Sequence, residues 1–262
     1  TKRGKSGSNK INFSAYYGVQ DLENSLDMLN AQQWKEYKND QALQDGAEQP
    51  YSQEDISDNN IDTDWIDEII RVAPVQNYEM SASGGNEKAQ YFISGSYFDQ
   101  DGIVLGTDYQ KLNGRINLDY TVNNKLKIGS SFGIAHTANN RKEGDQSLNS
   151  PLANAITLPP VYPVFNDDGT YNEDHEQLAN PVAIANHHTN EAFTFRNIGN
   201  IYVEYKILKN LTFKTKWDVD YMNLREHSYS PITTRQGKKY DGLSIEATNE
   251  ATNIVSNNTL HY

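Results

Sequence analysis

An acidic stretch of the sequence, DNNIDTDWIDE, has part of the spacing of a calcium-binding loop. Asp58, Asn60 and Asp62 occupy the first, third and fifth positions, which supply oxygen ligands in an EF-hand loop. The sixth position, where such a loop needs glycine for a sharp turn, is Thr63, and the twelfth is Ile69 in place of a bidentate glutamate. The pattern favours a solvated acidic loop that caps the following helix, with calcium binding as the alternative.

A second oxygen-rich stretch and a group of histidines also resemble ligand sets. Residues 166–174 read NDDGTYNED, in which Asp-Gly is first of all a turn signal, and calcium is again the alternative. His175, His187 and His188 lie close in sequence, but adjacent histidines cannot share a helix face, and no carboxylate has the spacing of an HExxH motif. We interpret them as loop histidines and predict no metal and no cofactor.

No arrangement of residues in the sequence is typical of an enzyme. It contains no P-loop, GxSxG or GxGxxG motif, and it has no cysteine that could act as a nucleophile. Carboxylates are plentiful, but nothing in the sequence fixes two of them at the separation that a glycoside hydrolase needs. We therefore predict no catalytic residue, and a glycan hydrolase remains an alternative.

The composition indicates a β protein that does not bind nucleic acid. The chain has 262 residues, 36% of them hydrophobic, with a net charge of −12 and 17 tyrosines, and its mean hydropathy is −0.78. Aromatic residues reach 11%, which disfavours disorder, and the negative charge disfavours a nucleic-acid partner. No run of 18 apolar residues and no secretory leader is present, and the opening TKRGKSGSNK has no initiator Met, as expected for a piece of a longer protein.

Eight segments alternate apolar and polar residues with the period of two that is typical of β-strands. A clear example is the hairpin at 109–137, where Leu112, Ile116 and Leu118 alternate with polar residues, as do Ile128 and Phe132 after the turn. The predicted strands are residues 10–20, 77–84, 89–99, 109–122, 125–138, 192–206, 211–223 and 244–262, the last being the least regular.

The connections between these strands alternate strictly between short and long. GGNEK, VNNKL and KILKN are short turns, whereas 21–76, 100–108, 139–191 and 224–243 are longer. In an antiparallel meander this puts all short turns at one end and all long loops at the other, which is the layout of an outer-membrane barrel. The sequence therefore predicts an all-β fold, an antiparallel transmembrane β-barrel with about eight strands in this chain and with long extracellular loops, one of which carries a short helix.

Two of the long connections have recognisable local patterns. Apolar spacing predicts a helix over 21–40 and a shorter one over 62–72, both in the first long connection. Residues 147–171 combine apolar side chains with four prolines and predict an ordered, extended loop. This loop either packs on its own barrel or docks a partner or substrate, and its aromatic residues could stack on sugar rings or contact a lid protein: Tyr162, Phe165 and Tyr171.

On a barrel, the two faces of each strand meet different surroundings, because lipid tails lie outside and a wet lumen lies inside. The alternation predicts these residues on the lumen side: Arg115, Asn117, Asp119, Lys214, Lys216, Asp218 and Asp220. It predicts these aromatic residues on the apolar face or near strand ends, suited to interfacial girdles: Tyr97, Tyr120, Tyr205, Trp217 and Tyr221. A soluble sheet with aromatic cross-strand pairs is the alternative.

Several long phrases resemble one family throughout the chain. TKRGK (1–5) is similar to the close of the plug domain in TonB-dependent outer-membrane transporters of the SusC/RagA type. The phrases that resemble that family's barrel are APVQNYEMSASGGNEKAQYFISGSYFDQDGIV (73–104), GRINLDYTVNNKLKIGSS (114–131), LPPVYPVFNDDGTYNED (158–174), NPVAIAN (180–186) and TFRNIGNIYVEYKILKNLTFKTKWDVDYMNLREHSYSP (194–231).

The resemblance implies a domain division and a role. It places residues 1–9 at the end of the plug domain and 10–262 in the N-terminal part of a twenty-two-stranded barrel in the outer membrane of a Gram-negative, Bacteroidetes-type bacterium. It implies uptake of glycans or peptides, driven through TonB, together with a SusD-like surface lipoprotein and often as a dimer of such pairs. The TonB-contacting segment and nearly all of the plug are expected to lie outside this chain.

The resemblance identifies neither the imported substrate nor the residues that bind it. A soluble β-sandwich, acting as a carbohydrate-binding or adhesin module, is the alternative to the barrel.

Overall fold

One antiparallel sheet of eight strands in chain order dominates the structure. The computed structural model describes residues 3–58, 60–144, 147, 149–173 and 178–262. The strands are β1 (Lys10–Gln20), β2 (Ala73–Gly85), β3 (Ala89–Asp101), β4 (Asp108–Thr121), β5 (Leu126–Asn140), β6 (Thr189–Leu208), β7 (Leu211–Ser230) and β8 (Leu243–His261). All eight predicted strands are confirmed. Several run longer than predicted, because backbone pairing continues through polar residues after the alternating pattern ends.

Each strand pairs with its neighbours in a register that separates an apolar face from a polar face. Residues directly opposite one another on adjacent strands share a face. One row on the apolar face crosses the whole sheet without a polar side chain: Ile11, Ala82, Ile93, Ile116, Phe132, Gly199, Val219 and Ile254. The next row, on the opposite face, is almost entirely polar: Asn12, Ser81, Ser94, Arg115, Gly133, Ile198, Asp220 and Asn253.

The apolar face has no protein layer over it in the described part of the chain. Ile116 is 52% exposed, and Trp217 is 51% exposed. The aromatic residues predicted for this face, Tyr97, Tyr120, Tyr205, Trp217 and Tyr221, all lie on it, because each pairs with other members of the face. A single sheet with one uncovered apolar face excludes the two-layer sandwich, in which both inner faces are buried against each other.

The two ends of the sheet differ in their connections, as predicted. The turns at 86–88, 122–125 and 209–210 are short and lie at one end. The connections at 21–72, 102–107, 141–188 and 231–242 lie at the other end, and we call their described residues the loop layer.

The loop layer contains more helix than predicted, since we expected helices in the first long connection only. Its helices are α1 (Ala31–Gln44), α2 (Gln53–Ser57), α3 (Pro151–Thr157), α4 (Pro181–His187) and α5 (Arg235–Lys239). They therefore occur in three of the connections. None of the helices in the described ranges is both long and apolar enough to span a membrane.

Both helix predictions for the first connection need correction. The helix expected over 21–40 begins only at Ala31, because Asn30 and Gln33 form a capping box that fixes the start there. The helix expected over 62–72 is a single 3-10 turn at Asp67–Ile69. It ends there because Ile70 forms a β-bridge with Val104, which needs an extended backbone.

The expectation of an extended loop over 147–171 is also wrong in part. Ser150 caps α3, and Pro151 occupies its first turn, where the missing N–H of proline has no intrahelical partner to lose. α4 begins in the same way, with Asn180 as the cap and Pro181 following it. Pro151, which we had interpreted as part of an extended loop, therefore starts a helix, as Pro181 does.

The largest cluster of buried apolar side chains lies in the loop layer and not on the sheet. It joins residues from the first and third long connections: Trp65, Ile66, Ile69, Ala155, Leu158, Val164, Val182 and Ala185. Leu105 from the second connection packs against it. The long connections are thus one packed unit at one end of the sheet.

Candidate functional site

The polar face of the sheet carries a buried network centred on the carboxylate of Asp119. The Tyr202 hydroxyl donates to Asp119 Oδ1, and the guanidinium of Arg3 pairs with the same oxygen. Asp119 is 6% exposed and Tyr202 is 7% exposed, so water cannot easily replace a lost partner. The sequence pattern placed Asp119 on this face but did not predict its partners, which are 83 and 116 residues away in the chain.

Gly129 makes room for the ring of Tyr202 in this network. In the strand register Gly129 pairs with Asp119 on one side and with Tyr202 on the other. A Cβ atom at this glycine would lie 2.3 Å from Cε1 of Tyr202 and 2.5 Å from Asp119 Oδ1. Two cations lie over the Tyr202 ring, with Arg3 Cζ at 5.5 Å and Lys214 Nζ at 4.9 Å from its centre. The glycine therefore permits a close approach of strand and ring.

The N-terminal segment, residues 3–9, lies against the polar face at the short-turn end. The backbone N–H of Gly7 donates to the carbonyl oxygen of Gly85 over 3.1 Å. A Cβ atom at Gly4 would lie 2.3 Å from the carbonyl oxygen of Gly84 and 2.5 Å from that of Tyr91. No side chain fits at Gly4, so the backbone of the segment sits directly on the sheet.

The other charged residues predicted for the lumen side lie on the polar face, and most of them pair along it. Arg196, which we had not singled out, donates from Nε and Nη2 to the two carboxylate oxygens of Asp220, over 3.0 and 2.7 Å. Lys216 lies 2.5 Å from Asp218. Such exposed pairs contribute little to stability, and their effect is to make this face a charged, hydrated surface.

A cleft opens in the loop layer between the start of α1 and the segment that follows α3. Its volume is about 360 Å³, which is within the range of ligand sites. Its lining includes Trp34 and Asp62 from the first connection and Ile156 and Pro160 from the third. The sequence did not predict this cleft, because residues about 95 positions apart form its two walls.

One buried amide, that of Asn180, joins several parts of the third connection. Its Nδ2 donates to the carbonyl oxygens of Val164 and Asn172, over 2.8 and 3.0 Å. Its Oδ1 accepts from the backbone N–H groups of Val182 and Ala183 at the start of α4. Asn180 is 0% exposed, so water cannot easily replace its amide in these hydrogen bonds. The carbonyl oxygen of Val164 also accepts the N–H of Asn172 over 3.0 Å.

The two candidate calcium loops serve as local caps and turns. Asp58 Oδ1 accepts the N–H of Asn60, and Asp62 Oδ1 accepts the N–H of Ala31 at the start of α1. Asp168 Oδ1 accepts the N–H and hydroxyl of Thr170 in the turn predicted at Asp-Gly. In the described ranges, no three His, Cys, Asp or Glu side chains are grouped closely enough to hold a metal ion.

The predicted aromatic residues of the third connection divide between the core and the surface. Tyr162 and Tyr171 both pack against the apolar cluster of the loop layer, whereas Phe165 is 49% exposed. Phe165 and Tyr171 have ring centroids 5.0 Å apart, and Tyr171 meets the ring of His187 edge-on at 5.4 Å. His175 lies outside the described residues.

His188, the other candidate histidine, is buried where the loop layer meets the sheet. It follows α4, is 2% exposed, and its Nδ1 lies 2.9 Å from the Ser230 hydroxyl at the end of β7. Its Nε2 has no hydrogen-bond partner among the described residues and lies 3.8 Å from Glu143. Burial lowers the pKa of His188 below its usual 6.5, the carboxylate of Glu143 opposes that shift, and the ammonium of Lys142 adds to it.

Lys142 is a partly buried cation beside His188. Its Nζ donates to the backbone carbonyl oxygen of His188. Burial lowers the pKa of Lys142 to about 8, and the charge of Asp108 partly opposes this. Protonation of His188 would therefore place a second positive charge beside Lys142, on a ring that is itself buried.

We expect acid to loosen this junction. The pKa of His188 is lower in the folded state than in the unfolded state, so its stabilising contribution is complete above about pH 6.5 and is lost as the pH falls towards the folded-state value. Hydrogen exchange of the amides in 181–188 should therefore accelerate between pH 7.5 and 5, after correction for intrinsic exchange rates. His188→Gln should flatten this dependence. His187→Gln, at the adjacent position, should leave it unchanged, and an equal effect of both variants would contradict the assignment.

Comparison with known proteins identifies the family. No family model matches the chain. It is 28% identical to TonB-dependent receptor P3 of Formosa agariphila, over 100% of this chain and 26% of that receptor. It is 23% identical to TonB-dependent receptor SusC of Bacteroides thetaiotaomicron, over 79% of this chain and 22% of SusC. A solved structure of the RagAB peptide importer in the closed-closed state has the same fold, with a TM-score of 0.76 at 22% identity, covering 99% of this chain and 33% of that chain.

These relatives and the shared fold support a TonB-dependent receptor of the SusC/RagA type. This confirms the family that the sequence phrases indicated. The chain spans about a quarter of the length of the curated relatives it matches. The receptor's sheet is open, since β1 and β8 each have a neighbour on one side only, and its fold corresponds to a part of the larger barrel.

Proposed function

We propose that this chain forms eight adjacent strands of an outer-membrane importer that takes up glycans or peptides together with a SusD-like lipoprotein, powered through TonB. The uncovered apolar face carries this proposal. A row of apolar residues crosses all eight strands, and Ile11, Ile116 and Phe132 in that row are 72%, 52% and 47% exposed. An apolar surface of this extent is not stable in water but matches the lipid tails of a bilayer.

The proposal assigns a part of the importer to each region of the chain. Residues 1–9 are the end of the plug domain, which agrees with the position of 3–9 on the polar face, and 10–262 belong to the barrel. The loop layer lies on the extracellular side, and the aromatic residues of the apolar face lie in the interfacial girdles. The chain has no enzymatic role, and two such receptor–lipoprotein pairs form a dimer.

The alternative functions lack a supporting observation. A soluble carbohydrate-binding sandwich requires a second sheet over the apolar face, and the described residues form one sheet. A glycan hydrolase requires a pair of carboxyl groups with room for a sugar between them. The polar-face carboxylates of Asp119 and Asp220 instead pair with Arg3 and Arg196.

Affinity purification of the whole receptor from its native membrane tests this proposal. A tagged receptor extracted from outer membranes with a mild detergent should co-purify with one lipoprotein in roughly equal amount. Recovery of the receptor from the soluble fraction would overturn the membrane assignment. Recovery from the outer membrane without any lipoprotein would overturn the proposed partnership.

A further inference from the structure

The cleft in the loop layer has an apolar floor and a rim whose charges have one sign. Trp65, Ile66, Ala155 and Leu158 form the floor and are all buried. The charged side chains among its lining residues are Asp27, Asp62 and Asp64, and neither lysine nor arginine lines it in the described part of the chain.

The rim also exposes apolar side chains that have no other role in the described structure. They are Leu26, Met28, Leu29 and Ile156, which are 57%, 40%, 44% and 39% exposed. The first three lie in the irregular segment before α1, which we had expected to be helical and to be packed by those leucines. Because that segment is not helical, its apolar side chains border the cleft.

Hydrogen bonds between the two walls hold the cleft open in a fixed shape. Thr63 donates from its N–H to the carbonyl oxygen of Pro160 over 2.9 Å and from its hydroxyl to that of Tyr162 over 2.7 Å. Trp65 Nε1 donates to the carbonyl oxygen of Pro159 over 3.0 Å. A pre-formed site of this kind loses less conformational entropy when a ligand binds.

Most of the net charge of the chain lies in the first long connection, which forms one wall of this cleft. The first long connection, residues 21–72, carries fourteen Asp and Glu residues against three Lys and Arg residues, a net charge of −11, whereas the whole chain carries −12. A surface of one sign attracts ligands of the opposite sign and accelerates their association. Neutral glycans gain nothing from such a field, and acidic ligands are repelled by it.

We propose that this cleft binds cationic peptides from the medium, with a bulky apolar side chain on the floor and a neighbouring lysine or arginine at the acidic rim. Asp27 is the best placed of the three carboxylates to meet that cation. Asp62 and Asp64 each accept backbone N–H groups of their own wall, whereas Asp27 is exposed in the irregular segment before α1. The inference rests on the proposed import function only in taking the loop layer as the side that faces the medium.

Peptide binding to the purified, detergent-solubilised whole receptor tests the site. The probe is a fluorescently labelled Lys-Leu-Leu-Lys peptide, with Glu-Leu-Leu-Glu and Lys-Gly-Gly-Lys as comparison peptides. Only the first should bind measurably. Asp27→Lys and Leu29→Ser should each weaken its binding about tenfold or more, because one reverses a rim charge and the other removes an apolar contact.

Two matched variants lie in the same connection but outside the cleft. Asp40→Lys changes the net charge by the same amount as Asp27→Lys, and Leu43→Ser removes a leucine that is 60% exposed on α1. Both should change binding less than twofold. If Asp40→Lys weakened peptide binding as much as Asp27→Lys, the effect would come from the overall charge of the first long connection. The proposed site would then be wrong.

Three other results would also overturn the proposal. The first is equal binding of the acidic peptide. The second is loss of binding on addition of EDTA, which would point to a metal ion. The third is loss of binding when the lipoprotein is present, which would point to a partner that covers the cleft. Binding is measured on the solubilised receptor, so its failure leaves the membrane and partner tests of the proposed function unaffected.

Discussion

Replacing Met80 with arginine is expected to lower the free energy of unfolding of the receptor in the membrane by about 2–4 kcal/mol. Met80 lies near the middle of β2 on the apolar face, pairs with Phe13 and Gly95, and is 55% exposed. If that face meets lipid tails, the arginine must place its charge in hydrocarbon or bend away to the interface, and both are costly. Denaturant titration of the receptor in lipid vesicles, followed by the mobility of the folded band on unheated gels, measures the change.

The adjacent residue provides a matched control for Met80→Arg. Ser81 is in the same strand, but its side chain lies on the polar face beside Asn12 and Ser94. Ser81→Arg should change the free energy of unfolding by less than about 1 kcal/mol, since the new charge remains hydrated. If both variants unfold at the same denaturant concentration, the two faces meet the same surroundings and the lipid assignment is wrong.

Replacing Asn180 with alanine is expected to destabilise the loop layer by about 3 kcal/mol or more and to leave the sheet intact. The variant removes one donor from each of the carbonyl oxygens of Val164 and Asn172, and it leaves the N–H groups of Val182 and Ala183 without their side-chain acceptor. The carbonyl oxygen of Val164 keeps the N–H of Asn172. Each buried group left unpaired costs about 1–3 kcal/mol. Amide hydrogen exchange should accelerate roughly a hundredfold in 164–172 and 181–187, while β4 and β5 keep their protection.

A second helix cap, at Asn30, provides a control for the stability loss expected from Asn180→Ala. Asn30 caps α1 by accepting from Gln33, but it lies on the surface, where water can replace it. Asn30→Ala should therefore cost only about 1 kcal/mol, the usual loss for an N-cap. If the two variants have equal effects, the hydrogen bonds of Asn180 to Val164 and Asn172 contribute nothing beyond its helix cap.

The sheet could be predicted from the sequence because its information is local. A period of two assigns each side chain to a face, and a one-residue slip in register would exchange the faces of a whole strand. All eight strands, and the faces of residues such as Asp119, Lys214 and Trp217, are therefore as predicted. The strand ends were less predictable. β7 continues through Glu226 and Ser228 because these residues pair with β6 and β8, and the pattern of residues within one strand does not show that pairing.

The loop layer was predicted poorly because its helices are fixed by short capping contacts and by distant packing. Asn30 ends the irregular segment 21–30 that the leucine spacing had suggested was helical. Ser150 and Asn180 turn the following prolines into helix starts. These signals compete with the hydrophobic period, and tertiary contacts decide which prevails.

By itself, the sequence determined the strands, their two faces and the end at which the long connections lie, since each of these follows from alternation and spacing along the chain. It also contained the phrases that indicated the family. Only the tertiary structure decided which residues meet: Arg3 and Tyr202 on Asp119, His188 beside Ser230, and the two walls of the acidic cleft. These contacts join residues 42 to 116 positions apart, and no periodic pattern within one strand or loop encodes such pairings.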